Sequence, residues 1–483
     1  SMGLHFPRER WDDLQRGLAE AARELGFDNV ATCVGSFLSE RTTKTQLQVL
    51  ASHLTIGETY FFRDKPTLDA LAGHILPELI RARAGREQRL RIWSAGCCTG
   101  EESYSLAILL HQLLPDLSHW HVTITATDIN GRYLQKAAAG TYGEWSFRNA
   151  PADLKERYFK RSAEGRYTVL PEIRQLVSFE HLNLVEDVYP TLATDTNAMD
   201  LIFCRNVLMY FTPFQIRKVI RNLRHALIDG GWLAVSPSEA SQALFSEFRA
   251  VNFPGAIVYQ KSATEPQGSS MPGQLSDSVQ IVAPDNTLPA SRPPAVRHAL
   301  LAEPAAAPEN PTFFQTPPAS FAVAESLYQE GRYAQAAEML LTALADGALE
   351  SPAFSLLTRA LANQGRLAEA LVWCDRWIAV DKRDAAAHYL RAIVLLEQGD
   401  AGEARSSLQR AIYLDPEFVL AHFALGNLAR SRGKIDEAHK YFTHAQRLLR
   451  RHQPNDLLPE SDGLTAGRLA ETLASMTSAE NAP

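Results

Sequence analysis

The fold is decided by the stretch Arg91-Ile-Trp-Ser-Ala-Gly-Cys-Cys-Thr-Gly100, an apolar run that leads into a turn of small residues. Glu101 and Glu102 follow and begin a helical pattern, so the stretch predicts a strand, a turn and a helix. Small residues let the backbone approach a ligand closely, and a helix N-terminus presents free N–H groups. The pattern is typical of the first loop of a dinucleotide or S-adenosylmethionine (SAM) domain. The alternative is a plain tight turn.

The two glutamates at the helix start favour one of these cofactors. Carboxylates at that position would repel a pyrophosphate, whereas SAM carries a sulfonium and an ammonium group. The chain also lacks the Gly-Lys-Ser/Thr ending of a phosphate-binding loop after this strand. SAM therefore fits better, and the alternative for Glu101 and Glu102 is a favourable interaction with the helix dipole.

Asp128 ends the next apolar run, 28 residues after Gly100. An acidic residue at the end of the second strand is placed to accept hydrogen bonds from the ribose hydroxyls of an adenosine. The alternative is an N-cap for the helix predicted at 130–139. Together, the small-residue loop, the glutamates that follow it and Asp128 indicate a site for a nucleoside cofactor.

Short apolar runs alternate with helical patterns between residues 87 and 261. Candidate strands are 90–94, 122–127, 176–179, 201–204 and 232–236, and candidate helices are 101–114, 130–139 and 213–227. Strands that alternate with helices predict an α/β fold with a mostly parallel, doubly wound sheet. Its ligand is expected at the carboxyl ends of the strands. Residues 2–86 have helical periodicity and predict an N-terminal helical domain.

The C-terminal part contains an internal repeat of 34 residues. Glycines recur at that spacing, and an alanine follows each of them five residues later: Gly331, Gly365, Gly399 and Gly433, with Ala336, Ala370, Ala404 and Ala438. This period predicts tetratricopeptide (TPR) helix pairs, four of them over 319–453, which stack into an all-α solenoid. Eleven of the 26 prolines fall in 262–318, which predicts a disordered tether, and 454–483 is expected to be a flexible tail.

Composition excludes several other classes of protein. The 483 residues are too many for one core, and a formal charge of −7 argues against a nucleic-acid binder. No apolar run approaches the length of a membrane span, so no membrane insertion is expected. Five cysteines in so long a chain do not form a disulfide framework, and the histidines show no metal-ligand spacing, so no metal is predicted. Ser1 before Met2 is interpreted as a cloning remnant.

Five segments together resemble the CheR-type chemotaxis receptor methyltransferases. They read GETYFFRD (57–64), RIWSAGCCTGEESYSLAILL (91–110), ATDIN (126–130), NL (183–184) and FCRNVLMYF (203–211). The resemblance covers about residues 5–261, in the family's order and spacing. It implies a class I SAM-dependent methyltransferase fold, and the fusion to TPR repeats resembles the Wsp-type branch of the family.

The resemblance also implies roles for individual residues. The implied SAM contacts are Thr59, Arg63, Glu102, Asp128, Asn183, Leu184, Arg205 and Asn206. Arg63 and Tyr210 would flank the methyl-transfer centre. The alternative for Arg63 is an ion pair with Asp64 or a neighbouring carboxylate, and the alternative for Tyr210 is a core aromatic beside Phe211.

Three positions depart from the family's pattern. Gly57 stands where some members have an asparagine that contacts SAM, so that contact is not expected here. Ser236-Pro-Ser-Glu239 replaces the Gly-His-Ser-Glu of many members, which leaves the role of that loop open. A β-hairpin insertion is expected around 158–180, but its stretch 161–167 lacks the Gly-rich loop that binds a receptor pentapeptide in some members. Receptor binding without such a pentapeptide is therefore predicted.

The implied activity is SAM-dependent O-methylation of glutamates on the cytoplasmic domain of a chemoreceptor, with S-adenosyl-L-homocysteine as product. Because glutamate has a reference pKa of about 4.3, the acceptor is already ionised at neutral pH and no general base is expected. The alternatives are a methyltransferase for another substrate, such as a small acid or RNA, and a TPR scaffold that SAM only regulates. The enzyme is expected in the cytoplasm, with a protein partner on its TPR repeats.

Overall fold

The computed structural model describes residues 2–39, 42–85, 87–114, 116–151, 153–186, 188–191, 194–262, 319–345 and 351–480. The predicted tether lies outside the described residues, except for Ser262 at its start. The N-terminal helices are α1 (Trp11–Glu24), α2 (Val30–Ser39), α3 (Lys44–Leu54), α4 (Lys65–Ala70) and α5 (Leu76–Arg83), with a π-helical turn at Leu71–Ile75 between the last two.

The helices of residues 2–86 divide into two groups. Helix α1 packs against both α2 and α3, and α3 begins with a capping box between Thr43 and Gln46. The segment from α4 to α5 instead packs on the sheet, since Leu68, Leu71 and Ile75 belong to the same buried cluster as the first strand. The structure thus differs from the single N-terminal helical domain expected over 2–86.

The central part is an α/β unit that contains two sheets. Its elements are β1 (Arg89–Ala95), α6 (Glu101–Leu113), β2 (His121–Asp128), α7 (Gly131–Ala139), β3 (Thr141–Tyr142), α8 (Leu154–Tyr158), β4 (Phe159–Arg161), β5 (Tyr167–Val169), α9 (Pro171–Arg174), β6 (Val177–His181), β7 (Met199–Phe203), α10 (Pro213–Ala226), β8 (Leu227–Ala234), β9 (Phe248–Phe253) and β10 (Ala256–Lys261).

The main sheet has seven strands in the order β6-β2-β1-β7-β8-β10-β9. Its pairs are parallel except those of β10, which runs antiparallel to both of its neighbours. The predicted fold class, a doubly wound α/β sheet with N-terminal helices and a C-terminal helical repeat region, is confirmed. The final hairpin of β9 and β10 was not predicted. The small sheet β3-β5-β4 contains a short hairpin, β4 with β5, in the region of the expected insertion.

The C-terminal region is all helical. Its helices are α11 (Ala319–Gln329), α12 (Tyr333–Ala345), α13 (Ser351–Asn363), α14 (Leu367–Val380), α15 (Ala385–Glu397), α16 (Ala401–Leu414), α17 (Val419–Ser431), α18 (Ile435–Leu449) and α19 (Ala466–Glu480). Helices α11 to α18 form four pairs, and each repeat glycine lies in the turn within a pair with a positive φ of 72° to 86°. The alanines five residues later are fully buried, as expected for small residues where helices cross.

The expected flexible tail is wrong for residues 466–480, which form helix α19. Leu469 and Leu473 on this helix are buried in the TPR core. Small and polar residues surround these two leucines in the sequence, so the segment has only a weak helical pattern and was predicted to be a tail. The helix is stabilised by this tertiary packing rather than by its own strong periodicity.

The TPR helices cover one face of the main sheet. No helix is present among the described residues between β6 and β7, where a doubly wound fold usually places one. The TPR helices α15 and α17, together with α19, lie over this face and enclose with it a cavity of about 440 Å³, here called the interdomain cavity. On the sheet side its lining includes Arg91, the threonines at 123, 125 and 127 of β2, and Glu180 of β6.

A buried ion network joins the two parts at the start of β1. Glu397 at the end of α15 accepts a hydrogen bond of 3.2 Å from Arg89 Nη1 and one of 3.0 Å from Asn197 Nδ2, and it lies 3.8 Å from Arg91 Nη1. The side chains of Glu397, Arg89 and Arg91 are each at most 5% exposed to solvent. A buried charge that loses its partner is strongly destabilising, so this network fixes the position of the repeats on the sheet.

We expect Glu397→Ala to lower the free energy of unfolding by about 3 kcal/mol, because it leaves two buried guanidinium groups with less counter-charge. Chemical denaturation of the full chain measures this change. The matched control is Glu403→Ala, which removes a mostly exposed partner of Arg391 and should cost about 1 kcal/mol or less. Equal effects of the two substitutions would contradict the role given to Glu397.

Candidate active site

A cavity of about 350 Å³ lies at the carboxyl ends of β1, β2, β6 and β7, where the sheet topology predicts a ligand. We call it the site cavity. All nine residues with implied roles line it: Thr59, Arg63, Glu102, Asp128, Asn183, Leu184, Arg205, Asn206 and Tyr210. The structure thus brings together side chains that are spread over more than 150 residues of sequence. Its volume is in the range of ordinary small-molecule sites.

The glycines of the first loop allow close packing as well as a tight turn. Gly96 has a φ of +86°, and a Cβ there would lie 2.3 Å from Val207 Cγ2 of the loop after β7. Gly100 has a φ of +92°, and a Cβ there would lie 2.8 Å from the Cβ of Ala137 on α7. Any side chain at either position would push apart the segments that form the site cavity.

The two cysteines of this loop are poor nucleophiles in this setting. Burial raises the pKa of the Cys97 thiol, and burial with the nearby Asp128 carboxylate raises the pKa of Cys98 to about 12. Both thiols therefore stay protonated at neutral pH. The two cysteines instead contribute their small size, which suits the tight turn, and the backbone N–H of Cys98, which donates to Asp128.

The two glutamates at the start of α6 have different environments. Glu101 is buried away from the site cavity, where it accepts hydrogen bonds from Thr99 Oγ1 (2.6 Å) and Ser146 Oγ (3.0 Å). Glu102 lines the cavity, accepts a hydrogen bond from Ser94 Oγ at 2.8 Å and lies 3.6 Å from Arg205 Nη1. Burial raises the pKa of Glu102, and the Arg205 guanidinium opposes this shift. Only Glu102 is placed to meet a ligand.

Asp128 is not the N-cap of helix α7. Asn130 fills that position, since its Oδ1 accepts from the backbone N–H groups of Arg132 and Tyr133. Asp128 instead accepts one backbone hydrogen bond on each oxygen, from Cys98 N at 2.9 Å and Asn130 N at 2.8 Å. Burial raises the pKa of this carboxyl, and these donors oppose the shift. A carboxylate has about four acceptor positions, so this one can still accept from a ligand.

Arg205 joins the loop after β7 to the segment that carries Arg63. Its Nη2 donates to Asp64 Oδ2 at 2.8 Å and its Nη1 donates to the Arg63 carbonyl at 3.3 Å. Asp64 therefore forms its ion pair with Arg205 rather than with Arg63. Arg63 is half-buried and donates from Nη1 to the carbonyl of Glu58 at 2.6 Å. Its alternative reading as the ion-pair partner of Asp64 is not supported.

Tyr210 lies at the edge of the site cavity and is half-buried. The Arg10 guanidinium lies 5.5 Å from the centre of its ring. Burial raises the pKa of Tyr210, while Arg10 and Arg63 act in the opposite direction. Its hydroxyl thus remains protonated at neutral pH and can donate a hydrogen bond. Phe211 is the buried core aromatic of this pair.

Glu239 supports the loop after β7, a role that was not predicted. Its carboxylate accepts from the backbone N–H groups of Asn206 (2.8 Å), Val207 (2.8 Å) and Met209 (3.3 Å), and from the hydroxyl of Ser236 at 2.6 Å. This one buried side chain therefore holds the whole loop that presents Arg205, Asn206 and Tyr210. In the sequence, this role is indicated only by the position of Glu239 just after the predicted strand 232–236.

The packing of Tyr133 explains why position 57 is a glycine. A Cβ at Gly57 would lie 2.6 Å from the Tyr133 hydroxyl and ring. That hydroxyl donates to the Thr55 carbonyl at 3.2 Å, so the ring is fixed in place. An asparagine at 57 would require Tyr133 to move.

The N-terminal residues cover the site cavity, which the sequence did not indicate. Met2 and Leu4 line it, Leu4 pairs with Phe211 as an isolated bridge, and His5 N donates to the Tyr210 carbonyl at 2.7 Å. Leu54 and Ile56, at the end of α3 and just after it, form another wall. Both segments help to exclude water from the cavity.

Four non-glycine residues around the site have left-handed backbone: Phe62, Asp64, Cys98 and Asn206. Such conformations cost about 1 kcal/mol or more each for ordinary residues and persist only where surrounding contacts enforce them. The contacts here are Arg205 with Asp64 and Glu239 with Asn206. The cavity is thus built from strained loops held by buried carboxylates.

Comparison with known proteins identifies the family. The model for the CheR methyltransferase SAM binding domain matches residues 57–256, and tetratricopeptide-repeat models match 327–394, 378–417 and 389–449. Chemotaxis protein methyltransferase 2 of Vibrio cholerae is 34% identical over 226 residues, 47% of this chain and 77% of that protein. This chain belongs to the CheR methyltransferase family. The resemblance stated from sequence is confirmed, and the matched domain implies SAM as the methyl donor.

A second relative extends the comparison. The probable biofilm formation methyltransferase WspC of Pseudomonas aeruginosa is 31% identical over 283 residues, 53% of this chain and 64% of that protein. Among solved structures, MamA 41-end from Desulfovibrio magneticus RS-1 covers 29% of this chain and 78% of that chain, with 22% identity and a TM-score of 0.26. That similarity is too low to support a conclusion.

The lining of the site cavity fits SAM chemically. Two carboxylates, Glu102 and Asp128, suit hydroxyl and ammonium donors, and Leu54, Ile129 and Leu182 provide apolar surface. In the described residues, no group of three or more His, Cys, Asp or Glu side chains could hold a metal ion.

We expect Glu239→Ala to lower the free energy of unfolding by about 3 kcal/mol, because several buried backbone donors lose the carboxyl group that accepts from them. SAM binding should weaken in parallel, since the loop with Arg205 and Asn206 loses its support. Denaturation and calorimetric titration measure the two effects. The control is Glu247→Ala, because Glu247 is an exposed partner of Arg224 outside the cavity. A Glu239→Ala protein as stable as the control would contradict this role.

Proposed function

We propose that this chain transfers the methyl group of SAM to glutamate side chains on the cytoplasmic domain of a chemoreceptor, and that S-adenosyl-L-homocysteine is the product. The observation that carries the proposal is one cavity that combines a carboxylate pair, Glu102 and Asp128, with two side chains suited to a carboxylate substrate, Arg63 and Tyr210. Chemotaxis methyltransferases among the relatives support the substrate class.

The residues that would hold the cofactor lie on five chain segments: Thr59 and Arg63, Glu102, Asp128, Asn183 and Leu184, and Arg205 and Asn206. SAM supplies an electrophilic methyl group attached to a positively charged sulfur. Asp128 is assigned to the ribose hydroxyls, because its backbone donors fix its orientation and leave acceptor positions unused.

Arg63 and Tyr210 are assigned to the substrate carboxylate. A guanidinium and a phenol hydroxyl can donate hydrogen bonds to one carboxylate oxygen while the other accepts the methyl group. Burial raises the pKa of Tyr210, so its hydroxyl keeps its proton and can donate a hydrogen bond without protonating the substrate carboxylate. Because the substrate glutamate is already ionised at neutral pH, no residue needs to remove a proton. Catalysis then consists of alignment and the exclusion of water.

The rim of the site cavity suits an acidic protein segment. The chain is acidic overall, with a formal charge of −7, yet Arg63 and Tyr210 line this cavity, Arg10 lies over the Tyr210 ring, and Arg148 and Arg63 lie over the Tyr60 ring. Arg10 and Arg148 are also paired, with Asp13 at 3.5 Å and with Glu58 at 3.4 Å. The exposed Trp145 lies beside Arg148, whose guanidinium is 4.7 Å from the centre of its ring. Cations interleaved with aromatic rings would attract a helix that displays glutamates.

Receptor docking would not use a C-terminal pentapeptide. The hairpin of β4 and β5 closes through the short turn 162–166, with Ser162 N bonded to the Arg166 carbonyl at 2.8 Å, and offers no long loop. The enzyme would act in the cytoplasm, where receptor signalling domains lie. No helix in the described part of the chain is long and apolar enough to cross a membrane.

The proposal is tested with methyl-labelled SAM and the cytoplasmic fragment of a chemoreceptor from the same organism. The full chain should transfer label to glutamates as esters, which mild base removes. Arg63→Ala should lower kcat/KM about 100-fold or more, because it removes a donor that aligns the acceptor. Lys65→Ala is the matched control, since this exposed neighbour pairs only with Asp69 among the described residues.

Base-stable label would point to a nitrogen acceptor and contradict the proposed ester. SAM binding without transfer to any receptor fragment would favour the regulatory scaffold instead. Unchanged kcat/KM in Arg63→Ala would contradict the role given to this arginine.

A further inference from the structure

A chain of polar contacts connects helix α19 to the site cavity. Asn183, which lines that cavity, donates from Nδ2 to Glu186 Oε1 at 2.9 Å. The other oxygen of Glu186 lies 2.6 Å from Nη2 of Arg468 on α19. Two contacts therefore separate a residue beyond the TPR repeats from a proposed SAM contact.

The loop that carries Asn183 also has contacts within the catalytic domain: the Tyr189 hydroxyl donates to the Leu184 carbonyl at 2.7 Å, and Lys218 Nζ donates to the Val185 carbonyl at 3.1 Å. Asn183 Oδ1 accepts from Val185 N at 3.3 Å, and Glu186 N donates to the Asn183 carbonyl at 3.1 Å. The ion pair with Arg468 is partly shielded, with side chains 21% and 32% exposed. It therefore provides an anchor for this loop from outside the catalytic domain.

The position of α19 depends on the whole repeat array. Leu469 and Leu473 bury α19 in the TPR core, so the helix moves with the repeats. The repeats in turn contact the catalytic domain at helix α10 and at strands β1 and β2. A Cβ on Gly331 would meet His225 after 2.2 Å, one on Gly365 would meet Arg89 after 3.2 Å, and one on Gly399 would meet His121 after 3.1 Å.

The same loop separates the two cavities. Leu182 lines both the site cavity and the interdomain cavity, and it directly precedes Asn183. On the interdomain side, Arg468 and Arg430 both line the cavity, but Arg430 pairs with Glu180, which lies on strand β6 and does not contact the site cavity. Arg430 of α17 and Arg468 of α19 thus make similar ion pairs with the catalytic domain, and of these two only the pair of Arg468 leads to the site cavity.

We propose that Arg468 is a positioning residue for the cofactor, acting through Glu186 on Asn183, so that docking of the TPR array on its own catalytic domain raises the affinity for SAM. The inference rests on the proposed role of Asn183 in SAM binding. Without Arg468, Glu186 loses a guanidinium that orients its carboxylate, so the oxygen that accepts from Asn183 Nδ2 is held less firmly.

The test uses the full chain and compares Arg468→Met with Arg430→Met. Calorimetric titration with SAM should show a Kd raised about fivefold in Arg468→Met, which corresponds to one modest hydrogen bond, and a change below about twofold in Arg430→Met. With a receptor fragment, the KM for SAM should rise in Arg468→Met while kcat at saturating SAM stays unchanged.

A double substitution separates positioning from a merely structural role. In an Asn183→Ala background, Arg468→Met should have no further effect on the Kd for SAM, because the contact it supports is already absent. Equal effects of Arg468→Met in both backgrounds, or equal effects of Arg468→Met and Arg430→Met, would overturn the inference.

The unaltered chain distinguishes this inference from the proposed function. If it binds SAM and methylates a receptor, but Arg468→Met has the same Kd, the positioning role alone is overturned. If the unaltered chain binds no SAM, the proposed function fails, and the inference fails with it.

Discussion

The site depends on one buried guanidinium, that of Arg205. Its side chain is only 3% exposed, and a charge so deeply buried is tolerated only with well-placed partners. Those partners are Asp64 and Glu102, which come from the segment before α4 and from the start of α6. Arg205 therefore joins three distant parts of the chain. Its contact with the Arg63 carbonyl also fixes the residue proposed to orient the substrate.

The other features of the cavity follow from this arrangement. Asn206 adopts a left-handed backbone directly after Arg205, and Glu239 holds it there through the N–H groups of the loop. On the other side, the glycines of the first loop allow that loop to approach Val207 and α7. These buried hydrogen bonds and close backbone contacts fix the geometry of the cavity, which suits a reaction that depends on alignment.

Much of this organisation was predictable from sequence because it is local. The strand, turn and helix at 91–113, the acidic residue at the end of β2 and the 34-residue repeat each have a short-range signal. Sequence could not show that Glu101 points away from the cavity while Glu102 faces it, because helix rotation depends on packing. The contacts of Glu239 with the loop at 206–209, and of Leu4 with Phe211, are also set by tertiary structure.

The packing of the TPR helices on the sheet was not predicted, although the sequence of β2 indicates it. His121, Thr123, Thr125 and Thr127 alternate with apolar residues along β2, whereas a parallel strand covered by helices on both faces is usually apolar throughout. The alternation indicates a sheet face that the catalytic domain does not cover with its own helices. The TPR array occupies that face, and its last helix, read as a tail, is the one that reaches the loop at 182–186.

The cavity beside Arg205 is proposed to bind SAM through the carboxylates of Glu102 and Asp128. The most direct measurement is calorimetric titration of SAM into the full chain and into Asp128→Asn, a substitution that keeps the shape of the side chain but removes its charge. We expect saturable binding by the unaltered chain and a Kd at least about tenfold higher for a folded Asp128→Asn protein, because a hydrogen bond to a charged acceptor is lost. Equal affinities, or no binding by the unaltered chain, would overturn this assignment of the carboxylates.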